Sequence, residues 1–160
     1  MKRNKTFLIV FAALLLCGAA GALRVPKGVS SALLALPDGF KVRADLALTP
    51  EAQEKGLMFR EELPADYGML FVFSGLDVKS FWMKNTYVDL DMVFLDGKMK
   101  VLRVFHRVPR SRKGLPESEV ARATAPAACV LELPAGTARA HKLRPGARIK
   151  VSFTRPGPAK

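Results

Sequence analysis

Residues 89–105, with the sequence DLDMVFLDGKMKVLRVF, predict an antiparallel hairpin and with it the fold class. Apolar side chains occupy every second position from Leu90 to Phe94, which places them on one face of a strand. The dipeptide Asp96-Gly97 that follows is typical of a tight primed turn between antiparallel strands. The chain after this turn is therefore predicted to return as the partner strand, up to residue 108.

Further strands are predicted on both sides of this hairpin. Pro37-Asp38-Gly39 separates two apolar runs and predicts a second hairpin, whereas Ser74-Gly75 is predicted to end a strand. The other predicted strands are residues 33–36, 40–48, 69–73, 81–86, 129–133 and 148–153. Many short strands with frequent turns favour a small barrel or sandwich.

Two short helices complete the predicted fold. The first opens at Thr49, whose hydroxyl can cap free amides, and Gly56 is expected to end it. The second is predicted within residues 135–141, and residues 109–127 are predicted to form a long loop. The predicted class is mostly β (α+β), a small compact barrel-like domain with two short helices.

The first 22 residues have the order of a secretory signal peptide. Lys2, Arg3 and Lys5 precede an apolar run at 7–16, and small residues follow at 18–22. The predicted division of the chain is a signal peptide at 1–22, a tether at 23–31, a β-rich domain at 32–153 and a disordered tail at 154–160. Export to the periplasm or cell envelope follows from this interpretation.

Two alternatives for the N-terminal segment remain open. An uncleaved apolar stretch of about 17 residues would be at the short limit for spanning a bilayer, and it would then be the chain's only contact with a membrane. Cys17 could instead carry a lipid, although bulky Leu16 before it is unlike a lipoprotein signal. If the segment is cleaved, Cys129 is the only cysteine left and no disulfide can form within one chain.

The chain is strongly basic. Its formal net charge is +12, which falls to about +9 without Lys2, Arg3 and Lys5. Export argues against nucleic acid as a partner and favours anionic envelope components, while a simply solvated basic face is the plainer alternative. The densest positive stretch comprises Arg103, His106, Arg107, Arg110, Arg112 and Lys113.

Several segments, in order, resemble one family. They are residues 56–60 (GLMFR), 68–73 (GMLFVF), 81–86 (FWMKNT) with Asp89 and Asp91, 130–136 (VLELPAG) and 143–146 (LRPG). The chain is identified as similar to the domain of unknown function 192 family over residues 39–153. The resemblance implies a compact β-rich, barrel-like fold, often behind an export signal, and no established activity. Cys129 stands where relatives tend to have an aromatic residue.

A ligand-binding cleft is predicted between residues 56–60 and 81–91. If residues 81–86 are extended, Trp82 and Lys84 share one face, an apolar platform beside a cation. Such a pair suits a small anionic or sugar-like ligand, and the guanidinium of Arg60 suits the same anions. The predicted ligand-binding residues are Met58, Arg60, Trp82, Lys84, Asn85, Asp89 and Asp91.

Other interpretations of these residues stay open. In a purely structural one, Trp82 fills the core, Lys84 pairs with Asp91, and Asn85 belongs to a turn. In an enzymatic one, of the hydrolase or isomerase type, Asp91 or Asp89 is a base and Lys84 stabilises charge. In a third, the protein is an envelope interaction protein that uses its basic stretch.

The usual catalytic and cofactor motifs are not found. A Cys129–His106 dyad is possible by residue type, but Cys129 lies in an apolar strand, where thiols are usually inert. Ser74 lacks a nucleophile elbow, and no phosphate loop, dinucleotide fingerprint or zinc spacing occurs. The methionines are not clustered as a Cu(I) site would require. No cofactor and no metal are predicted.

Overall fold

The computed structural model describes residues 22–153, which form one seven-stranded sheet with two short α-helices. The strands are β1 (Ser31–Ala35), β2 (Lys41–Ala47), β3 (Tyr67–Trp82), β4 (Leu90–Leu95), β5 (Val101–Val108), β6 (Arg122–Pro134) and β7 (Lys150–Phe153). The helices are α1 (Pro50–Lys55) and α2 (Thr137–Ala140), and a 3₁₀ turn spans Glu117–Glu119. The predicted mostly β (α+β) class with two short helices is therefore confirmed.

The sheet is open, so the predicted closure into a barrel is wrong. The strand order is β5-β4-β6-β3-β2-β1-β7, and β2 and β3 form its parallel pair. The two edges meet over a short stretch, where Lys100 and Arg148 form an isolated antiparallel bridge. Val101 there donates to the carbonyl of Ala147 and accepts from the amide of Gly146, both at 2.8 Å. Because β7 has only four residues and β5 and β7 do not pair with each other, the hydrogen-bond ladder of the sheet is not closed.

Two apolar clusters cover the opposite faces of the sheet. Neighbouring residues of a strand fall in different clusters: Leu70 and Leu131 belong to the first, Phe71 and Val130 to the second. This alternation is what a strand buried on both faces requires. All six residues of β4 are buried, whereas its hairpin partner β5 exposes four of its eight residues.

The β4–β5 hairpin is confirmed, but its turn differs from the prediction. Asp96 and Lys100 close a three-residue loop, in which Asp96 Oδ1 accepts from the amides of Lys98 and Lys100 at 2.8 and 2.9 Å. The residue with positive φ is Met99, at 60°, rather than Gly97. The side chain of Asp96 organises the loop, which removes the need for a two-residue primed turn.

Strand β3 is longer than predicted and does not end at Ser74-Gly75. Its pairing with β6 shifts between Val72 and Asp77 and then continues to Trp82. The glycine therefore marks a bulge, which bends the strand without terminating it. Strand β6 accordingly begins at Arg122, inside the predicted loop, with alternate alanines buried against the rest of the sheet.

Residues 83–86 form a turn and not the predicted extension of a strand. The amide of Thr86 donates to the carbonyl of Met83 at 3.1 Å, and Asn85 has a φ of 53°. Asparagine tolerates this left-handed conformation better than most residues. Met83 is fully buried as a member of the second cluster, so its side chain holds the turn against the core.

The segment before β1 lies on the domain surface. Val29 is buried, Leu23 and Val25 pack against the first cluster, and the carbonyl of Ser30 accepts from the amide of Leu46. The predicted signal peptide, apart from its last residue, and the predicted tail lie outside the described residues. Within residues 22–153 there is no helix of the length and hydrophobicity that a membrane crossing requires.

Candidate functional site

An open hollow of about 250 Å³ lies between α1 and the second half of β3. We call it the aromatic cleft. It is lined by residues 53–58, 79–82, Phe71, Phe73, Thr86 and Glu132. One side is helical and polar, the other is aromatic, and Glu132 contributes a carboxyl group.

Local sequence determines the helical wall. Thr49 Oγ1 accepts from the amide of Ala52 at 3.3 Å, and Pro50 occupies the first turn, where its missing N–H costs nothing. Gly56 caps the end with a φ of 46°. Thr49, Pro50 and Gly56 predict α1 from the sequence, and the predicted start and end of the helix are confirmed.

Gln53 attaches this short helix to the sheet. Its side-chain amide donates to the carbonyl of Val72 at 3.0 Å and to that of Ala47 at 3.3 Å. A helix of six residues is not stable alone, so such tertiary contacts hold it in place.

Gln53→Ala is expected to lower the free energy of unfolding by roughly 1–2 kcal/mol, because two partly buried carbonyls lose their donor. Urea denaturation monitored by circular dichroism measures the change. Glu54→Ala, an exposed change on the same helix, should remain within about 0.5 kcal/mol of the parent protein. Equal stability of the two variants would show that the Gln53 contacts do not anchor α1.

The opposite wall consists of packed aromatic rings. Phe81 meets Phe71 edge to face with ring centroids 4.8 Å apart, and it contacts Phe73 at 6.3 Å. Trp82 is half-buried next to them, with Lys84 Nζ 4.6 Å and Arg122 Cζ 5.1 Å from its ring centroid. This wall offers ring faces and edges to a ligand in a largely preformed arrangement.

Among the described residues, Glu132 is the one acidic side chain that is buried in the sheet and also lines the cleft. It is only 5 % exposed, and burial raises the pKa of its carboxyl from 4.5 to about 8. No other cause contributes, because neither a cation nor a hydrogen-bond donor among the described residues stabilises the anion. At neutral pH the group is therefore mainly a protonated acid that can donate a hydrogen bond.

The two predicted segments do come together. The amide of Phe59 donates to the carbonyl of Asn85 at 2.7 Å and ties residues 56–60 to the turn at 83–86. Of the predicted ligand residues, Met58 and Trp82 line the cleft. Lys84 lies beside Trp82, as expected, but it reaches this position through a turn instead of along an extended strand.

The predicted cations have other partners. Arg60 Nη2 lies 3.7 Å from Asp45 Oδ2, and its guanidinium covers the ring of Tyr67. Lys84 Nζ lies 3.4 Å from Glu117 Oε2. The alternative in which Lys84 pairs with Asp91 is therefore not realised, and neither cation is part of the cleft lining.

The two predicted aspartates lie away from the cleft. Asp89 is exposed and accepts from the amide of Arg110 at 2.8 Å. Asp91 is fully buried, and its two oxygens accept from the amides of Arg107, Gly136 and Ala138 at 2.8–2.9 Å. It connects β4 to the end of β5 and to α2, which is an organising role in the fold.

Glu132 was missed by the sequence reasoning, although a signal was present. It is the only charged residue in the apolar run of residues 129–133, and acidic residues are almost never fully buried without a reason. Gln53 and Lys79 had no comparable signal, since their positions depend on how α1 packs on β3.

Cys129 and His106 do not share one environment. Cys129 is buried in the first cluster, and burial raises the pKa of its thiol to about 12, which keeps it protonated and unreactive. His106 is exposed, with Nδ1 3.9 Å from Asp91 Oδ1. Among residues 22–153, no group of three His, Cys, Asp or Glu side chains is arranged to hold a metal ion.

The chain is similar in sequence and structure to two solved proteins. One is a proposed transcription regulator of Sinorhizobium meliloti 1021, with 32% identity, a TM-score of 0.65, and coverage of 80% of this chain and 97% of that one. The other is a protein of unknown function from Novosphingobium aromaticivorans DSM 12444, with 31% identity, a TM-score of 0.62, and coverage of 83% and 94%. No curated protein matches the chain.

The open, curled sheet and the cleft under α1 define a small, mostly β domain with one aromatic-walled hollow of ligand size. The model of the domain of unknown function 192 family, described as "Uncharacterized ACR", matches residues 34–151. The chain belongs to this family, as the resemblance in its sequence predicted.

Proposed function

We propose that the protein is a binding module of the cell envelope whose aromatic cleft takes a small, uncharged, sugar-like ligand. The observation that supports this most is Glu132, a buried carboxyl in a hollow that has one wall of aromatic rings. A few polar groups within an apolar, concave site are the common composition of small-molecule sites.

The choice of a neutral ligand over an anionic one rests on the charges around the cleft. Lys79 is engaged, with Nζ 3.7 Å from Asp77 Oδ2 and 4.7 Å from the ring centroid of Phe73. Arg60 and Lys84 point to other partners. An acid with a pKa of about 8 is mainly protonated at neutral pH, so Glu132 can donate a hydrogen bond to a ligand hydroxyl.

The envelope location is supported by the N-terminal sequence alone. A basic start, an apolar run and a small-residue end are the pattern of an exported chain. Sugars are abundant in that compartment, and aromatic side chains stack on their apolar faces.

Trp82 is the single tryptophan of the chain, so its fluorescence reports directly on the cleft. Titration with neutral mono- and disaccharides is expected to change this emission saturably, and the matching uronic acids should bind more weakly. Glu132→Ala should weaken binding by about tenfold, the effect of one lost hydrogen bond, whereas Glu132→Gln keeps a donor and should bind nearly as well.

Calorimetry on Trp82→Ala, with Phe59→Ala as its matched control, tests the site independently. Both remove one exposed or half-exposed aromatic ring, but only Trp82 lines the cleft. The first variant should lose most of the binding heat and the second should keep it. Unchanged binding by Trp82→Ala would refute the site.

A hydrolase- or isomerase-type enzyme is the second candidate, with Glu132 as general acid instead of Asp89 or Asp91 as base. The observation in its favour is a carboxyl whose pKa lies close to neutral pH within a hollow. Chromatography of the same sugars after long incubation distinguishes the candidates. Product that forms with the parent protein but not with Glu132→Gln would identify an enzyme.

A further inference from the structure

A second concave surface lies around α2, and its lining is cationic. Two adjoining hollows of about 290 and 540 Å³ share His106 and Arg139. We call them together the basic groove. Its basic lining comprises His106, Arg107, Arg139, Lys142 and Arg144, supplied by β5 and by α2 and the residues that follow it. Asp91 also lines the smaller hollow, with its oxygens bonded to backbone amides.

Most of these cations lack an acidic partner. Within the part of the chain that the structure describes, no Asp or Glu oxygen lies within 4.0 Å of a side-chain nitrogen of Arg107, Arg139, Lys142 or Arg144. The sequence outside that part contains no Asp or Glu that could neutralise them. Like charges gathered on a concave surface repel one another and raise the local concentration of anions.

Hydrogen bonds from backbone amides hold the two walls of the groove together. Buried Asp91 accepts from the amide of Arg107 on one side and from those of Gly136 and Ala138 on the other, so it joins both walls. Arg107 and Lys142 have φ values of 49° and 59°, a costly conformation for these residues. Backbone outliers of this kind cluster at functional sites.

We propose that the basic groove binds an extended ligand that carries at least two phosphate groups. Planar guanidinium groups make paired hydrogen bonds to phosphate oxygens, and three of the four lysine and arginine residues of the groove are arginines. The two connected hollows are larger than a single phosphate needs. The site is separate from the aromatic cleft, with which it shares no lining residue.

A nucleic acid fits the groove less well than a small phosphate ligand. Sequence reading in duplex DNA usually uses a helix that enters the major groove, and α2 has four residues. The cations lie in a hollow, whereas a duplex needs an extended or protruding basic face. DNA therefore serves as a competing outcome in the test.

The test is calorimetry of the full chain with inorganic tripolyphosphate, orthophosphate and a short DNA duplex. Tripolyphosphate should bind at least about tenfold more tightly than orthophosphate. The double variant Arg139→Gln/Arg144→Gln should weaken tripolyphosphate binding by about tenfold or more. Lys41→Gln/Lys150→Gln removes the same charge from exposed positions on β2 and β7 and should change it less than about twofold.

Three results would overturn the proposal. They are equal weakening by the two double variants, equal affinity for tripolyphosphate and orthophosphate, and tighter binding of DNA than of tripolyphosphate at equal phosphate concentration. If the proposal holds, vesicles with and without an anionic phospholipid distinguish a lipid headgroup from a free phosphate as its source. Glu132→Ala should leave tripolyphosphate binding unchanged, which separates this site from the aromatic cleft.

Discussion

Asp91→Ala is expected to lower the free energy of unfolding by roughly 3–5 kcal/mol. The side chain is fully buried and accepts from three backbone amides, at 2.8, 2.9 and 2.8 Å. Alanine would leave these amides without an acceptor, and each unsatisfied buried donor costs about 1–3 kcal/mol. Urea denaturation followed by circular dichroism measures the loss.

Two further variants make this result specific. Asp91→Asn should also destabilise the protein strongly, because an amide has one acceptor oxygen and its NH₂ group would face N–H donors. Asp89→Ala removes an exposed carboxylate with a single amide partner and should cost about 1 kcal/mol or less. A stable, folded Asp91→Asn that had lost a measured activity would instead support the catalytic role of Asp91.

The sequence predicts local structure well where the cause is local. The helix α1 follows from Thr49, Pro50 and Gly56, whose effects act within a few residues. The first hairpin follows from Pro37-Asp38-Gly39 between two apolar runs. In both cases the physical determinant and the predicted feature are adjacent in the chain.

Features that depend on distant pairing were predicted less well. The continuation of β3 past Gly75 requires β6 as a partner, and β6 begins in an alanine-rich stretch of low intrinsic β-propensity. The closure of the sheet depends on whether β5 and β7 meet over their full length, and this distance is not encoded in either strand alone. Periodicity therefore gives the strands but not the shape of the sheet.

The candidate site was predicted at the level of segments and not of side chains. Residues 56–60 do meet the turn after Trp82, through the Phe59–Asn85 hydrogen bond. The turn, however, directs Lys84 to Glu117, a residue from a distant loop that no local pattern connects to it. The importance of Glu132 is predictable from the sequence, because a lone acidic residue in an apolar strand requires an explanation.

Glu132→Gln is expected to remove a large pH dependence of stability. The carboxyl of Glu132 has a pKa of about 8 in the folded protein, raised from 4.5 by burial. The folded state therefore holds a proton that the unfolded chain releases between these values. This contribution to stability is complete below pH 4.5 and is lost as the pH rises through about 8.

The expected size of this loss is on the order of 4 kcal/mol between pH 5 and pH 9, since each pKa unit corresponds to about 1.4 kcal/mol. Denaturation of both proteins over this range measures it. Other groups titrate in the same window, so the informative quantity is the difference between the parent protein and Glu132→Gln. Glutamine resembles the protonated acid in shape and cannot ionise, so the variant should be the more stable protein at pH 9.

The same difference tests whether the cleft is dry. Water that entered the cleft and solvated the carboxylate would lower its folded pKa, and the stability curves of the two proteins would then run parallel. Parallel curves would also remove the basis for Glu132 as a hydrogen-bond donor at neutral pH. Curves that diverge between about pH 4.5 and pH 8 and run parallel above pH 8 would confirm the raised pKa of Glu132. The emission of Trp82 should then change near pH 8, where the folded protein loses this proton, because both side chains line the cleft.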